Sequence, residues 1–357
     1  MERNGLKRDL LNLSLAELTT AMSDIGWPLF RGQQIFQWLQ KGVKDIDKMT
    51  NLPKNDRDKL KNQYFITKLD IIKKQVSHQD GTTKYLFQLP DGELIESVLM
   101  KYHHGTSACL STQVGCAMGC AFCASGQEGL IRNLTTAEML DQIIAMSADQ
   151  VERISHVVLM GSGEPLQNLQ EVVKLIKIVN HEAGLHISMR HITLSTCGLI
   201  PEIHQLADYE LPINLAVSLH AASDEVRRRL MPIARRYAIQ ELVEACDAYA
   251  QKTGRRVTYE YALIKDVNNS VLDMKALATL LKNRLCHVNL IPVNPVEGSH
   301  YRSGSSDDIK LFKNTLESKG IPVSVRREMG NDIDAACGQL KRRTQNSNEG
   351  IHWEEPR

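Results

Sequence analysis

The sequence lacks an apolar run of bilayer-spanning length, about 20 residues, which excludes a helical membrane protein. It lacks the apolar core of a signal peptide. Met1 to Asp9 is charged and leads into an amphipathic segment, so the cytoplasm is the expected compartment. It lacks charge of one sign: 43 Lys and Arg against 42 Asp and Glu leave a formal net charge of +1. No global basic field therefore advertises a nucleic-acid partner. It also lacks a disulfide framework, because its eight cysteines follow no regular spacing, which suits a reducing environment. A 42% hydrophobic and 24% charged composition describes an ordinary folded chain. Its 357 residues suit two or three structural units, or one large α/β barrel with additions.

What is present is concentrated in one stretch. Cys116-Ala-Met-Gly-Cys120-Ala-Phe-Cys123 sets three thiols within eight residues, with glycines at positions 115, 119 and 126. Structural zinc wants four ligands, usually as two nearby pairs, and no second Cys or His pair of that kind lies close to this run. A ferredoxin-type cluster wants a fourth cysteine nearby, and neither Cys109 nor Cys197 is so placed. Three local thiolates suit a 4Fe–4S cluster with one iron left open to a substrate. An iron–sulfur electron carrier is the non-enzyme alternative. Local basic groups also occur, at Arg227-Arg228-Arg229, Arg235-Arg236, Arg255-Arg256, Arg326-Arg327 and Lys341-Arg342-Arg343. Each alone reads as a solvated face; together they are compatible with a surface that tracks phosphates.

In chain order, residues 1–65 read as a small helical domain. Ser14 and Glu17 form a capping-box pattern, Phe30 to Leu39 carries one apolar helical face, and a charged helix follows Pro53. Residues 66–101 change to period two, with β-rich runs parted by Asp80-Gly81 and Pro90-Asp91-Gly92 turns, and read as a connector. Residues 102–330 alternate strand and helix, which predicts an α/β fold with a parallel sheet, a partial (β/α)6-type TIM barrel. Residues 331–357 form a C-terminal segment around the lone Cys337, with a polar tail. The cysteine cluster, Gly161-Ser-Gly-Glu-Pro165, Ser195-Thr-Cys-Gly198, Ser218-Leu-His220 and Asn294-Pro295 all fall at predicted strand C-termini. In a barrel these converge on one mouth, where active sites sit. Alone, Glu96 reads as an exposed strand carboxylate and Cys109 as a buried apolar thiol.

The Cys116–Cys123 spacing after the first barrel strand resembles the radical S-adenosylmethionine (SAM) superfamily, and the Gly163-Glu164 segment resembles that superfamily's glycine-rich SAM-binding segment. Four blocks narrow the resemblance: the cysteine run, Met160 to Asn168, Ser218 to Ala221 with Leu230 to Ile233, and Asp332 to Leu340. Together they are similar to the RlmN/Cfr family of RNA adenine methyltransferases, from about Leu15 to Leu340. One departure is Ser162, where the family commonly has methionine, with an expected effect on packing beside SAM. Pro165 and Asn168 favour the RlmN branch.

The resemblance implies Cys116, Cys120 and Cys123 as ligands of one 4Fe–4S cluster, and Gly163, Glu164, Ser195, Ser218, Leu219, His220 and Asn294 as SAM contacts. It implies methylation of adenine C2 in 23S rRNA, with tRNA a further substrate; a Cfr-type enzyme would methylate C8. Two SAM molecules serve each turnover. One methylates Cys337 and the other supplies the radical that activates that S-methyl group for addition to the base. Release then uses Glu96 as proton acceptor and Cys109 as a resolving thiol, in a transient disulfide with Cys337. A low-potential donor such as flavodoxin or ferredoxin, a monomeric state and no membrane partner complete the expectation. A radical SAM enzyme acting on a small molecule or protein is the alternative of another class.

Overall fold

The structure is a computed structural model and describes residues 7–126, 129–293, 301–327, 329, 330, 332 and 333. Its N-terminal part pairs β1 (Arg8–Asp9) with β2 (Tyr64–Phe65) in parallel around three helices, α1 (Leu15–Asp24), α2 (Phe30–Gln40) and α3 (Lys54–Gln63). The expected capping box closes α1: Ser14 Oγ accepts from the Glu17 amide while the Glu17 carboxylate accepts from the Ser14 amide. The apolar faces turn inward through Leu18, Met22, Ile35, Phe36, Leu39 and Leu60, and their core is continuous with that of the barrel. Lys44 pairs with the buried Asp141 of the barrel's first helix, and the same carboxylate accepts from the Leu69 amide.

The main sheet has ten strands. They are β3 (Asp70–Val76), β4 (Thr83–Gln88), β5 (Leu94–Tyr102), β6 (Gly105–Cys109), β9 (Ile154–Leu159), β10 (Ile192–Thr196), β11 (Asn214–Ser218), β12 (Val257–Leu263), β13 (Cys286–Pro292) and β14 (Val323–Val325). The strands from β6 onward are parallel and joined in sequence order, whereas β3, β4 and β5 continue the same sheet as antiparallel neighbours of β6. The outermost strands β3 and β14 lie at opposite ends of the order and do not pair, so the barrel is open. A separate hairpin, β7 (Gln113–Gly115) with β8 (Leu130–Asn133), brackets the cysteine run.

Crossover helices cover the outer face: α4 (Thr136–Gln150), α5 (Leu169–Asn180), α6 (Ile200–Asp208), α7 (Asp224–Leu230), α8 (Ile239–Thr253), α9 (Val271–Leu281) and α10 (Ser306–Glu317). Strand β12 shows why its residues take their faces. Val257, Tyr259, Tyr261 and Leu263 alternate with Thr258, Glu260 and Ala262. The aromatic set packs beneath the helices, with Tyr261 against Phe312 of α10 at 5.1 Å, and the polar set faces the lumen.

Candidate active site

The lumen holds a cavity of about 340 Å³, in the range of small-ligand sites. All three cluster cysteines line it. The loop that carries them is held at three points. Its base is the β7–β8 hairpin, where the Cys116 amide donates to the Gly129 carbonyl at 2.8 Å. Its middle is tied to α7, where the Ala121 amide donates to the Leu230 carbonyl at 2.9 Å. Its end is tied by a 3.1 Å hydrogen bond between the Ser125 and Ser162 hydroxyls. Gly115 has a left-handed backbone, and a Cβ there would collide with the Gly129 carbonyl.

The donor set fits an iron–sulfur cluster on its own chemistry. Burial pushes the Cys116 thiol up to about 11. Burial with repulsion from Cys123 and Cys116 pushes Cys120 up further. Thiols raised like Cys116 and Cys120 become thiolates together only against a cationic core. Among the described residues no three Cys, His, Asp or Glu side chains close around a single metal ion. A cubane needs no such closure, because each thiolate binds a different iron.

Gly163 and Glu164 follow β9 and line the same cavity. The glycines here answer the protein's own chain as well as any ligand. A Cβ at Gly161 would strike the Leu110 carbonyl, and one at Gly163 would strike Gln113. Glu164 is buried, and its two carboxylate oxygens accept from the Leu166 amide at 3.0 Å and the Cys197 amide at 2.7 Å. Burial raises its pKa while those amides pull the other way. The fixed carboxylate retains lone pairs toward the cavity, which suits an ammonium group. Asn168 donates to the Thr112 and Leu134 carbonyls and so fastens this segment to the two residues that flank the hairpin.

Ser195, Ser218 and His220 also line the cavity; Leu219 is buried and stands off its wall. The ladder explains the grouping. Ser195 pairs with Ala216 and Ser218 with Glu260, which puts them on one face of neighbouring strands. His220 adopts a left-handed backbone at φ 55°. Its Nδ1 accepts from the Ala262 amide at 2.9 Å, and Phe122 of the cysteine loop meets its ring edge-on at 4.8 Å. Burial, reinforced by Arg227, drops its pKa to about 3, so the ring is neutral at physiological pH. Asn294 and Cys337 lie outside the described residues.

Glu96 departs from its solitary reading as an exposed carboxylate. It is only 4% exposed and pairs with the fully buried Lys84 at 2.9 Å. It adjoins a second, much smaller void of about 10 Å³, beside Gly161 and Ser162. Cys109 lines both that void and the main cavity. Arg227 is a second departure, since it is wholly buried whereas Arg228 and Arg229 are exposed. The sequence reading also missed Glu260, whose carboxylate accepts from Asn289 at 2.9 Å on the cavity wall. A lone glutamate within Tyr-Glu-Tyr, on the polar phase of an alternating strand, was the available signal.

The comparisons agree with this geometry. Residues 110–278 match the model of the radical SAM superfamily, and residues 8–66 match that of the ribosomal RNA large subunit methyltransferase N-terminal domain. The probable dual-specificity RNA methyltransferase RlmN of Alkaliphilus oremlandii is 58% identical over 337 residues, covering 94% of this chain and 98% of that protein. Its counterpart in Clostridium beijerinckii is 55% identical over 341 residues, covering 96% and 97%. The crystal structure of a radical SAM methyltransferase from Sphaerobacter thermophilus superposes with a TM-score of 0.88 at 44% identity, covering 93% of this chain and 98% of that one. The chain belongs to the RlmN family of radical SAM enzymes, whose cofactors are a 4Fe–4S cluster and SAM.

Proposed function

We propose that the protein is an RNA methyltransferase that places a methyl group on C2 of adenine in 23S rRNA and in tRNA, using Cys337 as the methyl carrier. The observation that carries this reading is Cys109. One thiol borders both the cavity of the three cluster cysteines and the void beside Glu96, so a radical site and a proton acceptor adjoin through a group able to form a disulfide.

In this reading Cys116, Cys120 and Cys123 hold the cluster. Gly163, Glu164, Ser195, Ser218, His220 and Asn294 hold SAM, with Leu219 contributing backbone. Bound there, the pair supplies a hydrogen-abstracting carbon radical, which an amidine carbon such as adenine C2 needs because it does not displace a sulfonium methyl directly. Glu164 orients the ammonium end of SAM through a carboxylate already fixed by two amides. His220 stays neutral and serves as a wall and hydrogen-bond partner rather than a proton carrier. Glu96, held by Lys84, accepts the C2 proton. The Cys109 thiolate then attacks the sulfur of Cys337, forming the disulfide while the C–S bond breaks toward the methylene carbon, which keeps the electron pair and takes up a proton to become the methyl group. Restoring both thiols takes an external reductant, and each turnover consumes two SAM molecules.

Our reading divides the chain at 65, 101 and 330 into an accessory domain, a connector, a radical SAM core and a carrier segment. It places the protein in the cytoplasm as a monomer fed by flavodoxin or ferredoxin. Among the described residues no helix is long and apolar enough to cross a membrane.

Mass spectrometry of the isolated protein tests the central step, with an S-methyl group expected on Cys337. Nucleoside analysis of the RNA products is expected to yield 2-methyladenosine; 8-methyladenosine would select the Cfr-type reaction. A Cys337→Ala variant that methylates RNA at the wild-type rate would overturn the proposal.

A further inference from the structure

We infer that Arg227 is the buried counter-charge of the cluster site, a positioning residue that acts through the Cys120 side of the loop to raise the cluster's reduction potential. The inference rests on the cluster assignment above.

An arginine inside Arg-Arg-Arg at the end of a short surface helix should be solvated, yet Arg227 is 0% exposed. Its Nη2 donates to the Cys197 carbonyl at 2.8 Å and reaches the Ser218 carbonyl at 3.4 Å. Its Nε and Nη1 have no partner among the described residues. Burial works against its charge, while thiolates at Cys197 or Cys120 and the Asp224 carboxylate would favour it. A buried guanidinium stays ionised, and leaving such a charge uncompensated costs several kcal/mol. Among the described residues the fold thus keeps a cation with two idle donors and no carboxylate hydrogen-bonded to it.

The surroundings identify what does answer it. Leu230, one turn beyond Arg227 on α7, holds the Ala121 amide next to Cys120. The Cys197 peptide joins Arg227 to Glu164, since its carbonyl accepts from the guanidinium and its amide donates to the carboxylate. Arg227 therefore stands directly behind the wall that carries Cys120 and Glu164. A cubane held by three thiolates is a net anion, and it becomes more negative on taking up an electron. A fixed cation in a medium of low dielectric favours the reduced form more than the oxidised one.

Anaerobic reconstitution of the full chain, with iron and sulfide counted per protein and a redox titration followed by electron paramagnetic resonance, reads this without turnover. Arg227→Gln removes the charge and should load the same iron while shifting the reduction equilibrium about tenfold toward the oxidised form, about 59 mV for one electron. Arg227→Lys should stay within about threefold of the wild type, well inside that tenfold step. A fully loaded Arg227→Gln with wild-type potential would overturn the inference. If Arg227→Gln does not fold, an Arg227→Lys chain that folds, loads and keeps its potential supports it. Failure of Arg227→Lys to fold as well would leave Arg227 a purely structural cap on Cys197 and overturn the idea. A wild-type chain that loads no cluster would sink the underlying assignment instead, so the two failures are separable.

Discussion

Glu260 is a carboxylate buried on the cavity wall, and burial lifts its pKa to about 6 against the opposing pull of Arg326 and Asn289. A carboxyl raised in the fold contributes stability below its unfolded value and loses it as pH rises through the folded one. At pH 8 the ionised side chain is therefore a liability of about 2 kcal/mol. Glu260→Gln keeps an acceptor for Asn289 and should stabilise the chain by about that amount at pH 8 and by nothing at about pH 3. Denaturant midpoints at the two pH values check this; an equal effect at both would refute it. At this scale the cysteines, Glu164 and His220 were legible because their chemistry is local to short motifs. The readings of Glu96 alone and of Arg227 within its triplet as exposed groups fail for one reason. Burial of a charge depends on what lies across the fold, here Lys84 on the neighbouring strand and the Cys197 carbonyl, and no local pattern records it.

The β7–β8 hairpin shows what an element adds to the site. Its strands are three and four residues long, too short for alternation to register in the sequence, and the structure adds a clamp there. α6 and α7, nine and seven residues long, are likewise too short for a helical period to stand out. The long elements were readable from their periods, and Thr135 with Glu138 closes α4 by a capping box. Arg132 of β8 donates to both Glu138 and Asp91, which fastens the hairpin to α4. The clamp's weak point is Gly115. In Gly115→Ala the left-handed backbone alone costs about 1–2 kcal/mol, and the collision with the Gly129 carbonyl adds to it. The variant should lose both thermal stability and reconstituted iron. Full iron content with an unchanged melting temperature would show that the hairpin does not hold the cysteine loop.

Over the whole molecule, the parallel order was legible from strand–helix alternation, whereas the continuity of β3–β5 with the barrel sheet was not, since a connector and an added sheet edge have the same local pattern. The open edges are bridged by side chains. Beyond β14, Asp332 accepts from Ser77 Oγ at 2.6 Å and the His78 amide at 2.8 Å, while the Gly330 amide donates to Asp80 at 2.9 Å. Burial opposes ionisation of Asp80, but hydrogen bonds from Gly330, Thr82 and Ser77 prevail and hold it at about 2. Ser77 likewise lowers Asp332. Such carboxyls stabilise the fold above their unfolded value near 4 and lose that contribution as pH falls through the folded one. Asp80→Asn with Asp332→Asn should therefore be less stable than wild type at pH 7, and the gap should narrow toward pH 2.5. A gap independent of pH would refute the assignment. A closed barrel has its girth set by strand ladders, and widening it means unzipping one. Here, among the described residues, side-chain and turn hydrogen bonds fasten the seam in place of a ladder, so the circumference can be let out like a cuff without unzipping a strand pair.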